Sequence, residues 1–130
     1  MAKQITDTIV MIRPVAFRMN EQTAVNNFFQ EDLALKNAEI NAKAQAEFDA
    51  FVQKLRSVGV NVIVENDDLR MDTPDSIFPN NWISFHENGD IGLYPMFAEN
   101  RRRERREEVL IRLENEGFII NNIYDYTPAE

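Results

Sequence analysis

Between Pro74 and Ser84 the chain reads Pro-Asp-Ser-Ile-Phe-Pro-Asn-Asn-Trp-Ile-Ser. Asn80 and Asn81 are adjacent primary amides, set just ahead of an apolar run that opens at Trp82. An amide both donates and accepts hydrogen bonds. Two of them at the mouth of a strand can converge on a ligand while the strand holds them still. Such a pair suits a neutral ligand that both donates and accepts hydrogen bonds. A planar cation is better held by carboxylates through charge-assisted, bidentate bonds. Burying it against neutral amides would cost on the order of several kcal/mol. Asp72, Asp75 and Ser76 stand in the approach loop, and Asp75 is the third candidate for ligand contact. The same residues also read as ordinary structure: Pro-Asn-Asn is turn chemistry, and an aspartate in Asp75's place can cap a loop.

Other chemistry is thinner. There is no cysteine, which removes a thiolate nucleophile, a disulfide and a thiolate metal site. The one histidine, His86, follows the Trp82–Phe85 run and reads as a surface or strand-end residue. Ser57, Ser76 and Ser84 are the remaining hydroxyl candidates for a nucleophile of that kind, and none has a base at a recognisable motif spacing. Asp67, Asp68, Asp72 and Asp75 form an acidic loop, but the glycine and glutamate positions of a calcium loop are missing, so no metal and no cofactor are expected. The run Arg101-Arg102-Arg103-Glu104-Arg105-Arg106-Glu107-Glu108 carries interspersed glutamates, with Arg103 and Glu107 four apart. It reads as a solvated face of an amphipathic helix. The formal net charge of −8 argues against nucleic acid or an anionic membrane as a partner.

The elements that must position these groups follow from periodicity. The length of 130 residues suits one domain, and 44% hydrophobic residues suffice for a core. Thr8 to Ile12 reads as a buried strand stopped by Arg13-Pro14. Arg18 to Leu35, with Asn26-Asn27 and Phe28-Phe29, reads as a long loop holding a short helix. Ile40, Ala44, Phe48, Phe51, Val52 and Leu55 share one face of a helix from Ile40 to Ser57, closed by Gly59. Val60 to Val64 alternates as a strand. Trp82–Phe85 and Ile91–Tyr94 flank Glu87-Asn88-Gly89-Asp90, a hairpin signal. A second helix spans Ala98 to Glu116, and Phe118 to Tyr124 is the last strand. The class is α/β, and the stretch from Trp82 to Tyr124 is a complete ββαβ unit. The apolar run at the N-terminus is too short for a membrane span and no signal-peptide pattern follows it, so a soluble, cytoplasmic protein is expected.

In this order the segment resembles the substrate-gripping motif of the guanidino-group-modifying superfamily: arginine deiminases, dimethylarginine dimethylaminohydrolases and amidinotransferases. In dimethylarginine hydrolases the matching segment reads Asp-x-x-Phe-x-Glu-Asp, and Asp75, Phe78, Asn80 and Asn81 occupy those places. Met11-Ile12-Arg13-Pro14 resembles the family's first strand. Tyr94-Pro95 followed by an arginine-rich helix start resembles its next strand and helix, with Arg101 matching an arginine that contacts the substrate carboxylate. The resemblance implies a pentein (α/β-propeller) fold, of which residues 1–130 would be the N-terminal portion of a single domain, about two of five ββαβ units. It implies a C–N hydrolase acting on a small ureido or guanidino amino acid. The two amides, where the family has carboxylates, favour citrulline over arginine and are most similar to the bacterial citrulline-hydrolysing branch. The resemblance places the catalytic cysteine and histidine in later units, so no residue here is assigned a catalytic role and the chain in isolation is expected not to hydrolyse such substrates. Whether the intact protein uses water or an amine as acceptor stays open. The alternatives are a non-catalytic pentein-type binding module or a truncated remnant. Exposed edges of an incomplete propeller would favour self-association or pairing with a missing C-terminal portion.

Overall fold

The computed structural model describes residues 5–23 and 33–130. The Asn26-Asn27 and Phe28-Phe29 pairs lie outside the described residues. Strand β1, Thr8–Arg13, is followed by helix α1, Leu33–Ser57, and strand β2, Asn61–Asn66. β1 and β2 pair in parallel, Thr8 opposite Asn61 through Arg13 opposite Asn66. A parallel pair needs a crossover, and α1 supplies it. The helix starts earlier than the apolar stripe does. Lys36, Ala38 and Glu39 are exposed, helix-favouring residues in this early part, which extend it without adding to the core face. Its packing face also differs from the expected one. Val52 is buried, and Ala44, Phe48 and Leu55 are half-buried, but Phe51 and Ile40 are exposed. Polar side chains complete the docking: Gln45 donates to the Pro14 carbonyl at 2.8 Å, and Arg13 grips Asp49 in two bonds of 2.9 and 3.0 Å.

The second half is the expected ββαβ unit. Strands β3, Ile83–Phe85, and β4, Asp90–Leu93, are antiparallel, with Ser84 opposite Gly92. Strand β5, Asn122–Asp125, joins β4 in parallel. The connection from β3 to β4 is a turn in which Gly89 N–H reaches the His86 carbonyl, and His86 N–H that of Asp90, both at 3.0 Å. Gly89 sits at φ +87° while Asn88 keeps a negative φ. The Asn-Gly pair therefore makes a turn closed by a left-handed glycine, not a two-residue hairpin loop with both residues left-handed.

The second helix is broken in two: α2, Glu99–Arg102, and α3, Glu107–Asn115. The reason lies in the arginine run, which is not a solvated face. Arg102 donates to the Met96 and Phe97 carbonyls, Arg103 to those of Met71 and Asp72, Arg105 to that of Tyr94, and Arg106 to that of Asn66. A continuous helix would fan these side chains about 100° apart per residue. The bend at Arg103–Arg106 lets each reach its own oxygen. The last strand is shorter than expected. After Gly117, at φ +97°, residues 118–121 run back to β4, where Asn121 N–H meets the Gly89 carbonyl at 2.9 Å and pairing begins.

Trp82, Ile83, Ile91, Met96 and Val109 form the main core with Ile12 of β1. Val52, Val62 and Ile63 are buried beside α1. Trp82 is 2% exposed and the largest fully buried side chain. Its backbone also ties the hairpin down, since Tyr94 N–H donates to the Trp82 carbonyl at 2.9 Å. Anchoring Trp82 fixes the residue before it, Asn81, at the surface.

Candidate functional site

The approach loop is held from below, although it is a loop. Thr73, Pro74 and Ser76 are buried. Thr73 donates to the Asp67 carboxylate at 3.1 and 3.0 Å, which satisfies its hydroxyl away from water. Asp72 adopts a left-handed backbone, φ 52°, a region that aspartate tolerates better than most residues. Arg18 clamps the Asp72 carboxylate at 2.7 and 3.2 Å, and Glu21 at 2.8 and 3.2 Å. Asp68 is paired with Arg70, which holds its carboxyl down at about 2. The acidic loop is thus built of aspartates engaged with arginine, threonine and asparagine.

Pro79–Asn81 forms a short 3-10 turn that delivers the chain into β3. Around it, Arg101 gathers most of the expected site residues. Its Nη1 donates to Asn81 Oδ1 at 3.0 Å, and its Nη2 lies 3.4 Å from the Phe78 carbonyl and 3.5 Å from that of Asp75. Its Nε is 3.9 Å from Asp75 Oδ2. The structure therefore brings Asp75, Phe78, Asn81 and Arg101 together. It does not place Asn80 in this knot. Asn80 is exposed and lines a neighbouring groove of about 1120 Å³ that runs between β1 and the β3–β4 hairpin.

Four contributors were not legible in the sequence. Glu104 is 3% exposed and holds Arg101 in two bonds of 2.9 and 3.1 Å. Burial pushes the Glu104 carboxyl up, Arg101 pulls it back, and the charges of Asp75 and Asp67 push it further up. Asn20 donates to Asp75 Oδ2 at 2.8 Å and exchanges amide bonds of 3.0 and 2.8 Å with Asn100. Gln22 accepts from the Asn100 backbone N–H at 2.9 Å. Asn20 and Asn100 are 80 residues apart, so no spacing could announce the pair. Glu104, lying among arginines, looked like one more alternating surface charge.

The engagement of Asn81 determines what it offers. A guanidinium has only donors, so Arg101 must face the amide oxygen, and the Asn81 NH₂ is the end left for a ligand. The site then presents two amide N–H donors above Asp75, Arg101 and Glu104, which set two carboxylates against one guanidinium, so with both acids ionised the triad carries a net charge of −1. Asp75, held by Asn20, keeps its second oxygen as an acceptor beside them.

His86 is exposed directly after β3, the strand-end place expected of it, and there it meets Ser84. Ser84 Oγ lies 3.1 Å from His86 Nε2 and 2.7 Å from the Tyr94 hydroxyl. The signal was the Ser-Phe-His order: residues two apart on a strand share a face.

Residues 13–130 match the model of the N,N dimethylarginine dimethylhydrolase family, eukaryotic. The chain belongs to this family. The guanidino-modifying superfamily expected from the motif is thereby reached from a second direction. The family match takes in every residue of the Asp75–Arg101 knot, from Asn20 to Glu104. No curated protein and no solved structure matches the chain. Among the described residues no helix is long and apolar enough to cross a membrane.

Proposed function

We propose that this chain supplies the substrate-gripping wall of a C–N hydrolase for a small ureido amino acid, with citrulline preferred over arginine. In this reading residues 1–130 form the N-terminal two of five units of a pentein domain, and the α/β pattern of two parallel βαβ segments supports it. Asp75, Asn81 and Arg101 make the grip. Asn80 reaches the ligand from the groove side, and Phe78 contributes its exposed ring. The chain contains no cysteine, so thiolate attack on the ureido carbon is made by a group outside these 130 residues. A soluble, cytoplasmic setting agrees with the amino-acid substrate.

The single observation that carries the preference is the Arg101–Asn81 bond of 3.0 Å. It leaves amide donors facing the ligand. A ureido carbonyl accepts from them, whereas a guanidinium has no acceptor to offer. The family's printed name favours a second reading, a methylated guanidinium, and one substitution separates the two. Titrating citrulline and arginine into the chain should shift the Asn81 side-chain NMR signals with citrulline at lower concentration. In Asn81→Asp the new carboxylate should reverse the order by roughly tenfold, about 1.4 kcal/mol. Tighter binding of arginine than citrulline by the unaltered chain would overturn the ureido reading and favour the guanidinium one.

A further inference from the structure

Asn100, Arg101 and Glu104 all stand on one stretch, Met96 to Arg105, whose only regular element is α2. Four residues are too few for a helix to hold itself, because its first turn fixes several dihedrals for one hydrogen bond. Its N-cap, Ala98, makes no side-chain bond either. The direction in which this stretch points Arg101 is therefore set from outside it. Gln22 supplies one tie, at the Asn100 N–H.

Glu130 supplies the others. Its Oε2 accepts from the Met96 backbone N–H at 3.0 Å, 34 residues away in sequence. The same carboxylate takes Arg105 in a bidentate pair, 2.8 Å to each oxygen, and Arg102 Nε stands 3.5 Å from Oε1. One carboxylate thus holds both ends of the stretch at once. Bidentate, charge-assisted bonds of this length are among the strong ones. The two side chains are 17% and 14% exposed, so water competes little for the pair. Arg105 and the Met96 N–H hold the Glu130 carboxyl down at about 2, which keeps it ionised at neutral pH.

The chain after β5 is shaped to deliver this side chain. Tyr126 N–H returns to the Leu93 carbonyl at 2.9 Å, and its ring stacks on Tyr94 at 5.8 Å between centroids. Asp125 Oδ1 accepts from the Thr127 N–H at 2.9 Å and from its hydroxyl at 2.6 Å, which starts the 3-10 turn Thr127–Ala129. Glu130 N–H closes that turn on the Thr127 carbonyl at 3.0 Å.

We propose that Glu130 is a positioning residue for the site built on Asp75, Asn81 and Arg101: its carboxylate clasps Met96 and Arg105, fixes α2 between them, and so sets where Arg101 meets the Asn81 amide. The inference rests on the ureido reading for its choice of ligand. Arg101 Nη1 donates to Asn81 Oδ1 and so turns the Asn81 NH₂ outward. With the clasp open, α2 shifts, that bond is lost part of the time, and Asn81 turns either end of its amide to the ligand. The preference for a ureido carbonyl over a guanidinium then falls. Glu130 itself touches no ligand in this account.

The test uses the whole chain, with citrulline and arginine as ligands and the Asn81 side-chain NMR signals as readout. Glu130→Gln keeps the length of the side chain and removes the charge that holds Arg105. In the free chain it should move the Asn81 NH₂ signals. It should also lower the ratio of arginine Kd to citrulline Kd by about fivefold, the low end of ordinary coupling between sites. Arg105→Gln should do the same, and Glu130→Gln/Arg105→Gln no more than either alone, since both open one clasp. Asp49→Asn makes the same acid-to-amide change in the Arg13 pair on α1 and should leave the signals and the ratio unchanged. The unaltered chain covers the case in which a variant fails to fold: coupling runs both ways, so citrulline should slow hydrogen exchange at the Met96 N–H by a similar factor. Failure of the ureido reading would show in the unaltered chain, as arginine bound more tightly than citrulline, and the free-chain signals would then still decide the positioning role. Asn81 signals and a ratio that stay in place in folded Glu130→Gln, or Met96 exchange that bound citrulline leaves unchanged, would overturn the proposal.

Discussion

Arg101→Ala should destabilise the chain by about 3 kcal/mol at pH 7, the size expected when one partner of a buried charge pair is removed. Its side chain is 15% exposed and that of Glu104 is 1% exposed. Without the guanidinium the Glu104 carboxylate stays buried with no cation beside it. The sign of the pH dependence follows from the direction of its pKa. Burial already holds Glu104 above its ordinary 4.5, so the folded state binds its proton more tightly than the unfolded chain. Removing Arg101 deletes both influences that lower it. The folded value then climbs further, and the variant loses stability as pH rises from the unfolded value towards the new folded one. Urea unfolding at pH 4.5 and pH 7 should show the smaller loss at the acid end. The double variant Arg101→Ala/Glu104→Gln should recover part of the loss at pH 7. A loss independent of pH, or no recovery with glutamine, would show that the pair does not work in this way.

Trp82→Ala should cost about 4 kcal/mol, in the range for emptying the space of a large buried aromatic. The ring is the largest in a core shared with Ile12, Ile83, Ile91, Met96 and Val109, so no flexible surface can collapse into the void. Among the described residues its indole Nε1 has no hydrogen-bond partner. Trp82→Phe therefore gives up volume but no hydrogen bond and should lose less than half as much. Thermal and urea unfolding followed by circular dichroism would measure both, because the only tryptophan of the chain is the residue being replaced. A loss below 2 kcal/mol for the alanine variant would mean that the core repacks. Because Trp82 follows Asn81 directly, the same variant should blunt the citrulline-induced shift at Asn81.

The strands and the ββαβ order were readable because β-branched runs and a glycine turn act locally. Ile9 to Ile12 and Val62 to Val64 need only neighbours to declare themselves. The motif residues were readable for a similar reason: Asp75, Phe78 and Asn81 sit within seven positions. What escaped was long-range. Nothing near Asn20 shows that it will support Asp75 from 55 residues away. The arginine run misled because helix periodicity assumes that solvent receives the charged face. Here backbone oxygens of other segments receive it, and the helix yields between Arg103 and Arg106. Phe51 misled in the opposite way: its spacing fits the apolar stripe, yet α1 meets the sheet along Phe48, Val52 and Leu55, and the ring remains outside.

The arginine run also has a material consequence for how the two halves are joined. Arg103 reaches Met71 and Asp72, Arg106 reaches Asn66, and Arg112 approaches Glu65 at 3.5 Å. Part of the seam is therefore riveted by one functional group set on carbonyl and carboxylate oxygens. Guanidinium chloride is a solution of that same group. It competes for the rivets as a chemical twin and screens the charges as a salt, whereas urea does neither. For this architecture the two denaturants are different tools, one prising at the seam and the other wetting the core.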